Sequence, residues 1–356
     1  MRIPELKIGD LVAKIPIIQG GMSVGISLSG LASAVAEEGG IGVIGTAGIG
    51  MSEPDFSSNF LEANIRALRK EIRRARELTK GIIGVNIMVA LTNFIDMVKT
   101  SIEEKIDIIF SGAGLPLDLP KYLIKESKTK LVPIVSSGRA AKLIAKAWKD
   151  KFNYLPDAFV VEGPLAGGHL GFKREELLNS NITLEEKLRE VICEVRILEE
   201  KYDKKIPVIP AGGIYNGEDI AKFLKMGADG VQMATRFVAT EECDADIAFK
   251  KAYISAKKED VIIIKSPVGL PGRAIKNEFL ESVERGDKKP FKCPFHCIKT
   301  CDYRNSPYCI AIALLNAKRG NLRDGFAFAG ANAYRVNKIV TVKSLINELI
   351  GEIERI

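Results

Sequence analysis

Histidine is almost missing from this chain: its 356 residues contain two, His169 and His296. No apolar stretch approaches the roughly 20 residues needed to cross a bilayer, so a membrane span is not expected. The opening segment MRIPELKIGDLVAKIP lacks the apolar block of a secretory signal, and a soluble cytoplasmic protein is the expectation. Charge of one sign is not in large excess: 52 basic against 45 acidic residues leave a formal +7. The basic residues are spread along the chain with acidic partners nearby, which argues against a dedicated nucleic-acid surface. The basic segment 62 to 80 reads as a solvated helix face, with docking of an acidic partner as the alternative. Cysteine is too sparse for a disulfide framework; six in a chain of this length read as thiols or ligands in a reducing compartment.

What is present is a repeated alternation. Apolar residues make up 46% of the chain, enough for a sizeable core. Eight short β-branched runs each end in a glycine or polar turn: IPIIQGG from 15, IGVIGTAG from 41, GIIGVNIM from 81, IDIIFSGAG from 106, KLVPIVSSG from 130, DAFVVEG from 157, PVIPAGGI from 207 and DGVQMATRF from 229. Helix-length segments separate them. Between 62 and 79, Ile65, Leu68, Ile72, Ala75 and Leu78 form one apolar stripe. Strands alternating with helices predict a parallel sheet buried on both faces, which is why the runs are nearly continuous in apolar residues. Eight such units in 356 residues predict a (β/α)₈ TIM barrel with a smaller subdomain on the C-terminal side. An open doubly wound sheet is the alternative.

In a barrel of this kind the chemistry sits just after each strand. The residues there are Gln19, Gly20, Gly21 and Met22; Thr46; Asn86; Ser111 and Gly112; Ser136 and Ser137; Glu162 and His169; Gly212 and Gly213; Gln232, Ala234 and Thr235. The seventh and eighth turns, AGGI and QMATRF, are small, so bare backbone N–H groups near a helix N-terminus can approach a phosphate. The first turn, QGGM, lets a flat ring come close to the backbone. Together they suggest a phosphorylated planar cofactor across the mouth. Singly, each feature has a plainer reading: glycines form turns, and a lone histidine is as readily a hydrogen-bonded loop residue. Their co-occurrence at strand ends favours a site.

PIIQGGM, GVNIM, VEGPLAGGHLG, VIPAGGI, GADGVQMATRF and SPVGLPGRAIKN, in that order from about residue 10 to about residue 280, resemble the nitronate monooxygenase (2-nitropropane dioxygenase) family. Its relatives include the FMN-dependent enoyl-acyl-carrier-protein reductases of the FabK type. The resemblance implies an FMN-binding barrel over 1–260, a smaller subdomain with a cysteine-rich segment over 261–335 and a C-terminal helix over 336–356. It assigns Gly20, Gly21, Met22 and Asn86 to the isoalloxazine side of FMN and Gly212, Gly213, Gln232, Ala234 and Thr235 to the phosphate side. Ser136 and Glu162 would line the flavin edge. His169 matches the histidine that acts as base or polarises the substrate. Ala234 departs from the family's usual glycine, and its methyl group limits how closely backbone and phosphate approach.

The activity implied is oxidation of alkyl nitronates with O2 to carbonyl compounds and nitrite. The alternative is reduction of an enoyl thioester on acyl-carrier protein, with electrons from NAD(P)H. An imidazole with a pKa near 6.5 is matched to moving an α-proton near neutral pH. No nucleic-acid or membrane partner is implied, and homodimer assembly is left open. A flavin-independent phosphate-binding barrel, such as an aldolase or isomerase, would show similar turns. It would also want a catalytic lysine or paired carboxylates at strand ends, where only Glu162 stands.

The stretch KCPFHCIKTCDYRNSPYC lies outside these motifs. Cys293, Cys297, Cys301 and Cys309 are spaced C-x₃-C-x₃-C-x₇-C. All-thiolate ligation would favour an iron–sulfur cluster or structural Zn²⁺, with His296 as a substitute ligand and electron entry as a further role. Four thiols packed as small hydrophobes are the competing reading.

Overall fold

The structure, a computed structural model, describes all residues except 179–181, 288–290 and 294. Eight parallel strands close into a barrel: β1 (Ile17–Gln19), β2 (Ile41–Gly45), β3 (Ile82–Met88), β4 (Ile108–Gly112), β5 (Lys130–Val135), β6 (Phe159–Glu162), β7 (Val208–Ala211) and β8 (Val231–Met233). Each lies inside one of the eight apolar runs. Closure is made by β8 on β1, with Val231 opposite Ile17 and Met233 opposite Gln19. One set of side chains, including Ile18, Ile41, Val43, Phe110, Val160 and Ile209, fills the barrel interior. The alternate set, including Ile17, Ile44, Val85, Ile109 and Phe159, packs outwards under the helices. Burial on both faces accounts for the absence of polar alternation in these strands.

The first hairpin, Leu6–Ile8 and Leu11–Ala13, sends Leu6, Ile8 and Ala13 into the interior cluster. Leu6 reaches within 3.0 Å of where a Cβ on Gly230 would stand, just ahead of β8, so the hairpin plugs the end at which the strands begin. Only the opposite end is left as a mouth.

Helices Ser29–Glu37, Phe60–Leu78, Phe94–Glu103, Gly138–Phe152, Leu184–Tyr202 and Gly217–Lys225 follow β1, β2, β3, β5, β6 and β7. After β4 there is a 3₁₀ turn, Leu119–Tyr122, and after β8 the four-residue helix Thr235–Val238, with Ile247–Ser255 further on. The eighth place in the ring is taken by Val342–Glu354, which packs against Gly217–Lys225, Ser29–Glu37 and Thr235–Val238. It buries Val342, Leu345, Ile346, Leu349 and Ile353. Thr341 caps it by accepting from Ser344 N at 3.0 Å.

Helix Phe60–Leu78 differs from the expected stripe. It buries Ala63, Asn64, Ala67, Leu68, Ile72 and Ala75, while Leu78 is 52% exposed. The small residues turn inwards because the helix sits tightly on the 3₁₀ turn Ile49–Ser52: a Cβ on Gly50 would lie 2.7 Å from the Ala63 carbonyl carbon. Its basic face is met by this chain's own acids, Arg69 with Glu103, Arg73 with Glu104 and Arg76 with Asp107. Those pairs answer Arg69, Arg73 and Arg76 within the chain.

Two strands between β8 and the last helix, Val261–Lys265 and Pro271–Ile275, form a second, antiparallel sheet with Gly168–His169 from the loop after β6. Gly272 stands opposite His169, and Arg273 opposite Gly168. The histidine read as part of a turn is therefore an edge strand, held over the mouth by backbone pairing.

Candidate active site at the barrel mouth

Closure brings the strand ends level. Gln19 is opposite Met233, Ala211 opposite both Gln232 and Glu162, and Asn86 opposite Gly45 and Phe110. Gln19 is fully buried and ties down the first turn: its Oε1 accepts from Val43 N at 3.0 Å, and its Nε2 donates to Gly20 O. Gly20 N donates to Met233 O at 2.8 Å. A Cβ on Gly20 would sit 3.3 Å from Gln232 Nε2, and one on Gly21 would sit 2.5 Å from Asn86 Cβ. The structure thus brings Gly20, Gly21, Asn86 and Gln232 into one patch with a bare backbone floor. Gln232, expected beside the phosphate, packs against the first turn because barrel closure makes β8 the neighbour of β1. Met22, half-buried, is folded back by Ser27, whose Oγ accepts from Met22 N at 2.7 Å.

The seventh and eighth turns form a second patch. Gly212 and Gly213 have φ of +97° and +89°, in the region glycine adopts without strain. They lie under Ala166 and Leu165, whose side-chain Cβ atoms would each be 2.9 Å from an added Cβ. Asn332 Nδ2 donates to Gly213 O at 2.6 Å, and Gly330 N donates to Thr235 Oγ1 at 3.3 Å, so residues 330 to 332 span both turns. Ala234 has φ −127°, open to any L-residue, and its methyl group costs no backbone strain. The helix that starts in the eighth turn, Thr235–Val238, is four residues long, and Gly217–Lys225 follows the seventh. A glycine floor beside small turns fits a flat ring carrying a phosphate.

His169 and Glu162 face the same mouth. His169 Nε2 is 2.7 Å from Ser266 Oγ, and its ring stands edge-on to Phe328 with centroids 5.0 Å apart. Both His169 and Glu162 are half-exposed, yet protein atoms crowd them and displace hydrating water. Burial pulls the imidazole down to about 4, so it is neutral at pH 7. It pushes the Glu162 carboxyl up to about 7, only partly offset by the Gly171 N–H that donates to Glu162 Oε2 at 3.3 Å. Ser136 Oγ donates to Gly171 O at 3.5 Å, which joins Ser136 to this group. Burial thus sets the imidazole below the 6.5 of a free ring and brings the glutamate carboxyl nearer to neutrality. Chemically, the pair offers an uncharged hydrogen-bonding ring and a carboxyl that stores an exchangeable proton.

The cysteine segment is stitched to the rim. Thr92 N donates to Cys297 O at 3.1 Å, Lys299 N to Ala90 O at 2.9 Å and Thr300 Oγ1 to Val268 O at 2.9 Å. All six cysteines are free. The expected metal ligands are not assembled: among the described residues no three Cys, His, Asp or Glu side chains are placed to hold a metal ion. Cys293 Sγ accepts from His296 N at 3.2 Å, Cys309 stands at the residue before helix Ile310–Lys318, and Cys297 and Cys301 pack against the main core. Burial, with the other three thiols nearby, pushes Cys297 up to about 12. His296 lies beside Tyr303, ring centroids 5.4 Å apart.

Sequence reasoning missed Ser266, Arg273, Phe328, Gly330 and Asn332. Two of these lie in SPVGLPGRAIKN, a stretch that resembled the family without having its residues assigned. The others fall after the last strand, where no strand-end rule applies. A cleft of about 650 Å³ beside Lys14, Gly39 and Glu77 lies at the plugged end, remote from all these groups.

The profile described as nitronate monooxygenase matches residues 5–352. The (3aS,4S,5R,7aS)-5-hydroxy-7a-methyl-1-oxo-octahydro-1H-indene-4-carboxyl-CoA dehydrogenase of Mycobacterium tuberculosis is 28% identical over 273 residues, covering 77% of this chain and 66% of that protein. The "Probable nitronate monooxygenase" of Staphylococcus aureus is 27% identical over 299 residues, 76% of this chain and 78% of its own length. FabK from Thermotoga maritima has a TM-score of 0.73 at 30% identity, covering 96% of this chain and 93% of FabK. Nitroalkane oxidase from Streptomyces ansochromogenes shares the fold, with a TM-score of 0.72 at 21% identity and 96% of each chain covered.

Proposed function

Because this chain belongs to the nitronate monooxygenase family of oxidoreductases, we propose that it oxidises alkyl nitronates with O2 to carbonyl compounds and nitrite, using FMN held across the barrel mouth. When bound, FMN supplies the electron transfer between substrate and oxygen. Gly20, Gly21, Met22 and Asn86, joined by Gln232, would hold the ring, with Ser136 and Glu162 at its edge. Gly212, Gly213, Ala234 and Thr235 would receive the phosphate.

One observation carries the choice of substrate: His169 is neutral and held by Ser266. An imidazole near pKa 4 is a weak base for a neutral nitroalkane. A nitronate has already lost that proton and needs a hydrogen-bond donor. Ser266 Oγ also accepts from Val268 N at 3.4 Å; with its hydroxyl donating to His169 Nε2, the ring proton would reside on Nδ1. Nδ1–H, which has no partner among the described residues, is the donor left for a nitronate oxygen. Oxygen uptake with ethyl nitronate and with nitroethane tests this. Turnover of the nitronate well above that of nitroethane is expected, and no uptake with either overturns the reading.

A second reading, enoyl-thioester reduction with NAD(P)H, is favoured by the 30% identity with FabK across nearly the whole chain. There Glu162, half-protonated at neutral pH, would return a proton to the reduced substrate. Anaerobic NADH or NADPH oxidation dependent on crotonyl thioester is the outcome that selects it.

A further inference from the structure

Arg273 lies in the middle of Pro271–Ile275 and is 6% exposed. Its Nη1 donates to the Ala166 carbonyl, and among the described residues no carboxylate lies within ion-pairing distance of it. Burial lowers the guanidinium to about 10, so it stays charged at pH 7. A buried cation answered by a single carbonyl is strongly unfavourable, and a fold that keeps one takes its anion from elsewhere.

The surroundings indicate which anion. The carbonyl that Arg273 holds belongs to Ala166, whose N and Cβ would be 2.8 and 2.9 Å from a Cβ on Gly212, in the seventh turn. On its other side Ala329 N donates to Arg273 O at 3.0 Å, and the next residue, Gly330, donates to Thr235 Oγ1 in the eighth turn. Arg273 is therefore fastened beside both turns that fit a phosphate. The eighth turn has one charged side chain, Arg236, and it is already paired with Glu348 at 2.8 Å and bonded to Tyr215 O, so its charge is committed elsewhere.

We propose that Arg273 is the buried counter-charge for the phosphate of bound FMN. The inference rests on the flavin reading and adds to it the residue that separates the phosphorylated cofactor from its unphosphorylated parent. The guanidinium offers a planar set of donors suited to phosphate oxygens, and binding of the anion removes the cost of the lone charge.

The test compares FMN and riboflavin binding, by fluorescence quenching, to flavin-stripped wild-type protein, Arg273→Gln and Arg273→Lys. Gln keeps a donor for the Ala166 carbonyl without the charge. Arg273→Gln is expected to bind FMN roughly 30-fold or more weakly, with riboflavin affinity changed less than about 3-fold, while Arg273→Lys recovers part of the FMN preference. Unchanged FMN affinity in Arg273→Gln overturns the inference. So does equal loss of both flavins with a preserved melting curve, which would leave Arg273 as a prop for the Ala166 loop. If Arg273→Gln does not fold, Arg273→Lys decides: a partly retained FMN preference that is lost at high salt supports the pairing, whereas no salt dependence overturns it. Wild-type protein that binds neither flavin removes the parent reading itself, a result distinct from any of these.

Discussion

Glu162 and His169 respond to one cause, loss of hydration, in opposite directions, and this sets the pH behaviour of the site. The Glu162 pKa is raised from 4.5, so its contribution to stability is present below about 4.5 and lost as pH rises through about 7. The His169 pKa is lowered from 6.5, so its contribution is present above 6.5 and lost as pH falls towards about 4. The two oppose each other across the same window. Glu162→Gln should therefore melt about 2 °C above wild type at pH 8 and level with it at pH 4.5; a lower melting point at pH 8 would show that the carboxylate is stabilised by a partner. His169→Ala should retain flavin and lose about 10²-fold in nitronate turnover, with full activity assigning the ring a packing role. Ser266→Ala should cost about 10-fold in kcat/KM with flavin content unchanged, and Ser266→Thr should recover part; its pH–rate profile should shift, which a packing defect would not produce. His169 was legible from its position after a strand run. Ser266 was not, since it lies 97 residues away and only the antiparallel sheet brings the two together. The direction of both pKa shifts was equally hidden, because burial is a property of the folded mouth rather than of local spacing.

At the scale of elements, close approach of backbone decides what the barrel tolerates. A Cβ on Gly42 would sit 1.8 Å from Ala32 O, so β2 and helix Ser29–Glu37 meet through a position that admits no side chain. Gly42→Ala is expected to destabilise by about 2–3 kcal/mol, read by urea unfolding; a loss under about 0.5 kcal/mol would mean the helix can slide away. Gly213 is a poorer place to probe a phosphate, since any side chain there collides with Leu165 before its charge is felt. The strands were readable because β-branched runs buried on both faces leave a continuous signal. The replacement of a helix after β4 by a 3₁₀ turn was not, because an absent helix leaves only a loop of ordinary composition. Gly168–His169 was unreadable as a strand: two residues carry no periodicity, and their partners lie in Pro271–Ile275.

For the whole molecule, the seventh and eighth turns, residues 330 to 332 and Arg273 are parts of one junction between the barrel and the second sheet. A ligand seated there links the two and stabilises the folded state by mass action. Adding FMN at about 100 times its Kd to stripped protein should raise stability by about 2.7 kcal/mol, seen as a higher melting temperature. Riboflavin at the same concentration should give a smaller rise, and equal rises would take the phosphate out of the account. The (β/α)₈ architecture was legible as a count of units, whereas the junction was not, because it joins segments that are distant in sequence and individually unremarkable.

Helix Val342–Glu354 occupies the eighth place in the ring, with Gly217 N donating to Glu352 Oε2 at 2.6 Å and Arg236 paired with Glu348 at 2.8 Å. During synthesis on a ribosome, all eight strands emerge well before residues 342–354 do. Until then the nascent barrel has an open seam, with the groove beside Gly217–Lys225 uncovered and able to capture the wrong apolar segment. A chaperone that shields this seam, or a pause in translation that delays collapse, would matter most in that interval, and helix Val342–Glu354 acts as the latch that ends it.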